Sequence, residues 1–215
     1  MRVLGSLAAA IFLLLAPVTV VAGAAAENSY DALVAELKSG NTAIDYSALR
    51  YARAELPGYN PYAVLADPEK GDMLRAMSAA NLDQVSVLAR QIIERDYTDI
   101  DAHAALAAVL ERRGMRDEAA FERAVADGLL ASIQATGDGM TPETAYVVIG
   151  IAEEYTLLGA SNVQVARQTL LQTARGPVDA LEVVNRANGR RRIVYFDVSR
   201  LFAAMERLGR TPNGP

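Results

Sequence analysis

The chain contains no cysteine, no tryptophan and a single histidine among its 215 residues. Each shortage removes a class of chemistry. Without cysteine there is no disulfide, no thiol nucleophile, no thiolate metal ligand and no lipid attachment of the bacterial lipoprotein kind. With His103 as the one imidazole, no zinc-type histidine pair exists. No serine or threonine sits in a nucleophile-elbow pattern. Beyond residue 26 no long apolar run recurs, so no stable membrane span is expected there. Acidic residues outnumber basic ones, 26 to 21, for a formal charge of −5. That balance argues against general nucleic-acid binding. No cofactor and no metal are expected.

What is present begins with the N-terminus. Arg2 precedes an apolar run from Val3 to about Val21, followed by the small residues Ala22, Gly23, Ala24, Ala25 and Ala26. Charge, apolar stretch and small-residue exit is the order of a secretory signal. Cleavage fits after Ala24 or after Ala26. The alternative is an uncleaved anchor, because the run approaches the ~20 residues that span a bilayer; Pro17 and the alanine cluster favour the peptidase. Residues 1–26 are therefore expected to direct export, and the mature protein to be periplasmic or extracellular.

Residues 27–135 read as helical. Leu33, Val34 and Leu37 share one side of a short helix ending at Ser39-Gly40-Asn41, and Asp45-Tyr46-Ser47 opens a second through about Glu55. Pro57-Gly58-Tyr59-Asn60-Pro61-Tyr62 enforces a non-helical crossing, with Tyr59 and Tyr62 placed to staple it. Asp67-Pro68-Glu69 is a helix start with proline in the first turn. Asp83, Asp99 and Asp117 are read as openings of three more helices, and Gly114 as a stop. Asp83-Gln84 and Asp117-Glu118 stand 34 residues apart, the tetratricopeptide period. Leu106, Ala107, Gly114, Ala119 and Ala126 occupy its small and apolar positions. One good unit and one degenerate one fit a tetratricopeptide-like pair, and equally an ordinary bundle.

At Thr136-Gly137-Asp138-Gly139 the periodicity changes. Residues 136–210 are expected to form an antiparallel sheet with a terminal helix, and 211–215 a disordered tail. The β-branched run Thr144 to Ile151, the alternating Val163 to Arg167, and Val178 to Arg186 with Arg190 to Val198 around Asn188-Gly189 read as strands of an antiparallel meander. Ser199 to Leu208 reads as a helix turned onto the sheet. The expected fold class is α+β.

Candidate chemistry is sparse. His103 with Asp99 and Asp101 has the donor types of a metal site, although the acids need not share its face; the competing reading caps the helix with Asp99 and packs His103 between helices. Glu153 and Glu154 have the composition of an acid–base pair, yet on a strand they point to opposite faces. Asp138 sits in a glycine-rich loop too short for calcium or phosphate. Arg190, Arg191 and Arg192, with Arg186 across the turn, make a basic tip suited to an anionic partner or to guarding an edge.

Asp45 to Arg50, Tyr59-Asn60-Pro61-Tyr62, Asp101-Ala102-His103, Gly137-Asp138-Gly139, Thr144-Ala145-Tyr146, Glu153-Glu154-Tyr155 and Tyr195-Phe196-Asp197 together resemble, in order and spacing, the bacterial domain of unknown function 4919. The resemblance spans about Ile44 to Phe202. It implies bacterial origin and export, and it supplies no activity. Its recurring polar positions fall here on His103, Asp138, Glu153, Glu154 and Asp197. The function expected is a non-catalytic module, associated with the envelope or binding a protein or peptide partner, because paired helices form grooves. The alternative is a hydrolase with His103 as base and Asp138 or the Glu153/Glu154 pair beside it.

Overall fold

A computed structural model describes residues 29–159 and 161–210. The segments read as leader (1–26) and tail (211–215) lie outside the described residues. Helix α1 covers 29–38 and turns at Gly40. Helix α2 (Tyr46–Ala54) begins at Asp45, whose carboxylate accepts from the Ala48 amide. Such caps satisfy the amides a helix start leaves free. After the Pro57–Tyr62 crossing, α3 (Pro68–Ser78) is capped by Asp67 with proline in its first turn. Helix α4 (Leu82–Arg95) is capped by Asn81 rather than by Asp83, which lies in its first turn. Helix α5 (Ile100–Arg112) is capped by Asp99, and α6 (Arg116–Gln134) starts just before Asp117.

Helices α3, α4 and α5 each pack on the next helix in the chain. Consecutive antiparallel helices do this in any bundle, so the stacking does not distinguish a tetratricopeptide array. Helix α5 is the most enclosed, burying Ile100, Ala102, His103, Ala105, Leu106, Ala107, Val109 and Leu110.

The sheet follows, in the order β1-β4-β3-β2. Strands β2 (Val163–Thr173), β3 (Gly176–Asn185) and β4 (Arg191–Asp197) are antiparallel neighbours. The expected all-antiparallel meander needs correction at its other edge: β1 (Tyr146–Val147) pairs parallel with β4, so the sheet is mixed. The run Thr144 to Ile151 also yields two strand residues, not eight. It ends because Gly150 lies against the crossing, where a Cβ would sit 2.9 Å from the Tyr59 hydroxyl. A helix, α7 (Ile151–Gly159), then starts where more strand was expected. Two acids in its first turn suit the positive end of a helix dipole. Helix α8 (Ser199–Arg210) closes the described chain, reaching β3 and α2.

The core is continuous across both parts. It runs from Leu37, Leu49 and Met73 through Ile92, Leu106, Leu129 and Ile133 to Leu181, Val194, Phe196 and Leu201. Burying each such side chain is worth roughly 1.5–3 kcal/mol. The Gly137–Gly139 loop is fixed between the two parts: a Cβ on Gly137 would fall 2.3 Å from the Thr144 carbonyl oxygen, and Gly139 has φ +65°. Among the described residues no helix is long and apolar enough to cross a membrane.

Candidate functional site

The polar residues singled out from sequence are buried or bonded in separate places. His103 is fully buried on α5. Its Nδ1 lies 2.6 Å from Glu122 Oε2 on α6, and its Nε2 lies 3.2 Å from the Tyr97 carbonyl oxygen. Both ring nitrogens thus lie within hydrogen-bond distance of oxygen atoms. The Tyr97 ring meets the imidazole edge-on at 5.1 Å. The carboxylate partner is Glu122, not Asp138 or the Glu153/Glu154 pair that the hydrolase alternative sets beside it. Asp99 and Asp101 do not turn to His103. They bind Lys70, whose Nζ lies 2.5 Å from Asp99 Oδ1 and 3.1 Å from Asp101 Oδ2. Among the described residues no group of three or more acidic or histidine side chains is placed to hold a metal ion.

Glu153 and Glu154 are not split between strand faces; both are buried on the first turn of α7. Glu153 grips Arg50, with 2.7 Å contacts to both Nε and Nη2, and accepts the Ile149 amide at 2.8 Å. Arg50, itself fully buried, also donates to Ser132 Oγ and to the Val147 carbonyl. This network ties α2, α6, β1 and α7 together. Neither oxygen of Glu154 bonds another protein atom. Burial, then the charges of Asp179 and Glu153, push its carboxyl up to about 8. Asp138 is exposed and accepts from Met140 N and Thr144 Oγ1. Those bonds, the threonine's first, hold its pKa below the ordinary carboxylate value. Asp197 accepts the Ser199 amide at the start of α8, and its carbonyl accepts Val148 N–H. No hydrogen bond or ion pair joins His103, Asp138, Glu153, Glu154 and Asp197 to one another. At the basic tip Arg191 pairs with Glu182 at 2.8 Å, and Arg186, Arg190 and Arg192 are exposed.

A concave site includes two of these residues, Asp99 and Glu153. The crossing, the ends of α3, α4 and α5, and the residues entering α7 enclose a cleft of about 220 Å³. Each cation on its wall is held by an acid from another stretch. Lys70 pairs with Asp99, Arg95 with Asp67 at 2.6 Å and with Glu69, and Arg53 with Asp96 at 3.1 Å. Burial alone lowers the Lys70 pKa, but Asp99 and Asp101 outweigh it and hold the ammonium above its ordinary value. Arg53 lies over the Tyr59 ring at 4.8 Å, and its buried Nε has no acceptor. Tyr59 donates to the Ile149 carbonyl at 3.0 Å, fixing the crossing to the entry of α7. The capping aspartates Asp67 and Asp99 thereby serve twice, as caps and as counterions.

Sequence reading found Asp67, Asp99 and Tyr59 in their local roles. It missed Lys70, Arg53, Arg95 and Asp96, since charges on helices ordinarily face water. The one sequence signal was a high density of ionisable residues flanking the proline crossing.

Residues 19–207 match the model of the family described as domain of unknown function 4919, and the chain belongs to that family. No curated protein and no solved structure matches the chain.

Proposed function

We propose that this family member is an exported, non-catalytic interaction module, associated with the envelope or free outside the cytoplasm. Its charge-lined cleft receives a polar segment of a protein or peptide partner. The observation that carries this reading is the contrast between the two sets of polar residues. His103, Asp138 and Asp197 spend their bonding capacity on the fold, away from the cleft. The cleft gathers charges from distant stretches around open volume and leaves the Arg53 Nε without an acceptor. A buried donor in want of an acceptor costs about 1–3 kcal/mol, which a carbonyl or carboxylate of a bound segment would recover. His103 and Asp138, the base and one orienter of the hydrolase alternative, are bonded apart from each other. Glu154 has the raised pKa of a general acid, but it is fully buried and does not line the charged cleft.

Two measurements test the proposal. Intact mass of protein from the periplasm or medium should show loss of the first 24 or 26 residues; full-length mass in the membrane fraction would make it an anchored protein. A photo-crosslinking residue in place of Val64, on the cleft wall, should capture one discrete partner in the cell. That adduct should vanish with Arg95→Glu, while a crosslinker at the remote Arg123 yields none. Equal labelling from both positions would refute the cleft as the binding site. A turnover abolished by Glu154→Gln would replace the module with an enzyme.

A further inference from the structure

The two edges of the sheet differ in a way that bears on association. One edge, β1, has two residues. The other, β2, has eleven and pairs only with β3 among the described residues. Long edges are ordinarily guarded by lysine, proline or inward charges, since their free amides and carbonyls template another strand. Strand β2 reads Val-Gln-Val-Ala-Arg-Gln-Thr-Leu-Leu-Gln-Thr, with one charge, Arg167, and no proline. A bulge between Val165 and Arg167 interrupts its first part, leaving Arg167–Thr173 regular. Leu170, in the middle of that segment, is 46% exposed.

The backbone directions follow from the pairing. Pro177 gives its carbonyl to Val198 N, away from β2, so its opposite residue Gln172 points its own N–H and C=O outward. By alternation Leu170 and Gln168 do the same. An antiparallel copy centred on Leu170 then sets Leu170 opposite Leu170, and Gln168 opposite Gln172. Each of these pairs exchanges two hydrogen bonds. Between them Thr169 meets Leu171, and Arg167 meets Thr173 of the other strand. Apolar faces apolar, amide faces amide, and the one positive charge avoids its twin. A two-fold axis through Leu170 satisfies every outward group of the regular segment with the same segment.

We infer that β2 is a homodimerisation edge, on which a second copy of this chain adds its own β2 antiparallel about Leu170, joining two four-stranded sheets into one. This interface is separate from the cleft and does not rest on the binding role given to it.

The absence of cysteine makes the register directly testable. With Leu170→Cys as the only thiol, mild oxidation should give a covalent dimer rapidly. Arg167→Cys, whose twin lies across the axis and far along the strand, should crosslink at least about tenfold more slowly. Sedimentation velocity over a dilution series should show the unsubstituted chain as a dissociating dimer. Leu170→Lys, which opposes two like charges at the axis, should be monomeric with an unchanged far-ultraviolet circular dichroism spectrum. Mixing it with Leu170→Glu should restore a dimer, which also answers the objection that either variant misfolds. A monomer at every concentration, faster crosslinking at position 167, or a dimer indifferent to Leu170→Lys would each overturn the inference.

Discussion

Replacing Glu153 by glutamine tests a buried, two-contact ion pair of the fold. Arg50 is fully buried, and two of its three guanidinium nitrogens lie 2.7 Å from the two Glu153 oxygens. The neutral amide keeps the shape of Glu153 but leaves a buried cation without a counter-charge. Breaking a buried pair from one side costs about 3–5 kcal/mol, a large share of the ~5–15 kcal/mol that holds a domain folded. For a chain of this size that is a fall of roughly 6–20 °C in melting temperature. The double variant Arg50→Met/Glu153→Leu removes both charges and should recover part of the loss. Recovery is incomplete, because the Val147 carbonyl and the Ile149 amide then lose their partners, at about 1–3 kcal/mol each if left unsatisfied. Urea and thermal unfolding followed by circular dichroism give both numbers. A cost below about 1 kcal/mol for Glu153→Gln, or a double variant weaker than the single one, would refute the assignment of this pair as a structural tie.

Glu154 predicts a pH dependence of the opposite kind. Its folded pKa of about 8 lies above the ordinary 4.5. Its contribution is therefore complete below pH 4.5 and declines as pH rises to 8, by about 1.4 kcal/mol per unit. Glu154→Gln should flatten that slope and raise the melting temperature at pH 8; an unchanged slope in the variant would contradict the burial argument. His103→Ala should destabilise by about 2–4 kcal/mol, joining a cavity to the stranded Glu122. His103→Gln, which keeps bulk and one bond, should cost less, and equal losses would remove the hydrogen-bond half of the explanation. Gly137→Ala forces a methyl against the Thr144 carbonyl and should cost at least ~1–3 kcal/mol, read as lowered urea midpoint with an unchanged slope.

Local physics wrote much of this fold into the sequence. Asp45, Asp67 and Asp99 announce helix starts because a carboxylate bonds amides two or three residues ahead. Proline at 57 and 61 forbids helix wherever the chain goes next. Strands β3 and β4 and the first five residues of β2 are legible from alternation and from the turn around Asn188-Gly189, since side-chain period two is a property of the strand itself; the rest of β2, through Thr173, is not. The class, α+β, follows from those signals.

What tertiary structure decided is what residues far apart do to each other. The β-branched run after Thr144 has strand propensity throughout, yet it stops after Val147, where Tyr59 and Pro61 press on Gly150 and Arg50 claims Glu153. Whether β1 runs parallel or antiparallel depends on which strand it meets, and β4 begins more than forty residues later. No periodicity distinguishes Lys70 from the other charges on helix surfaces. Its partner Asp99 lies 29 residues away, and only the packing of α3 on α4 and of α4 on α5 closes that gap. Propensities and caps act over a few residues and are carried by the chain alone. Desolvation and ion pairing act through space, so the cleft, the buried Arg50–Glu153 tie and the raised Glu154 exist only once the core has brought their members together.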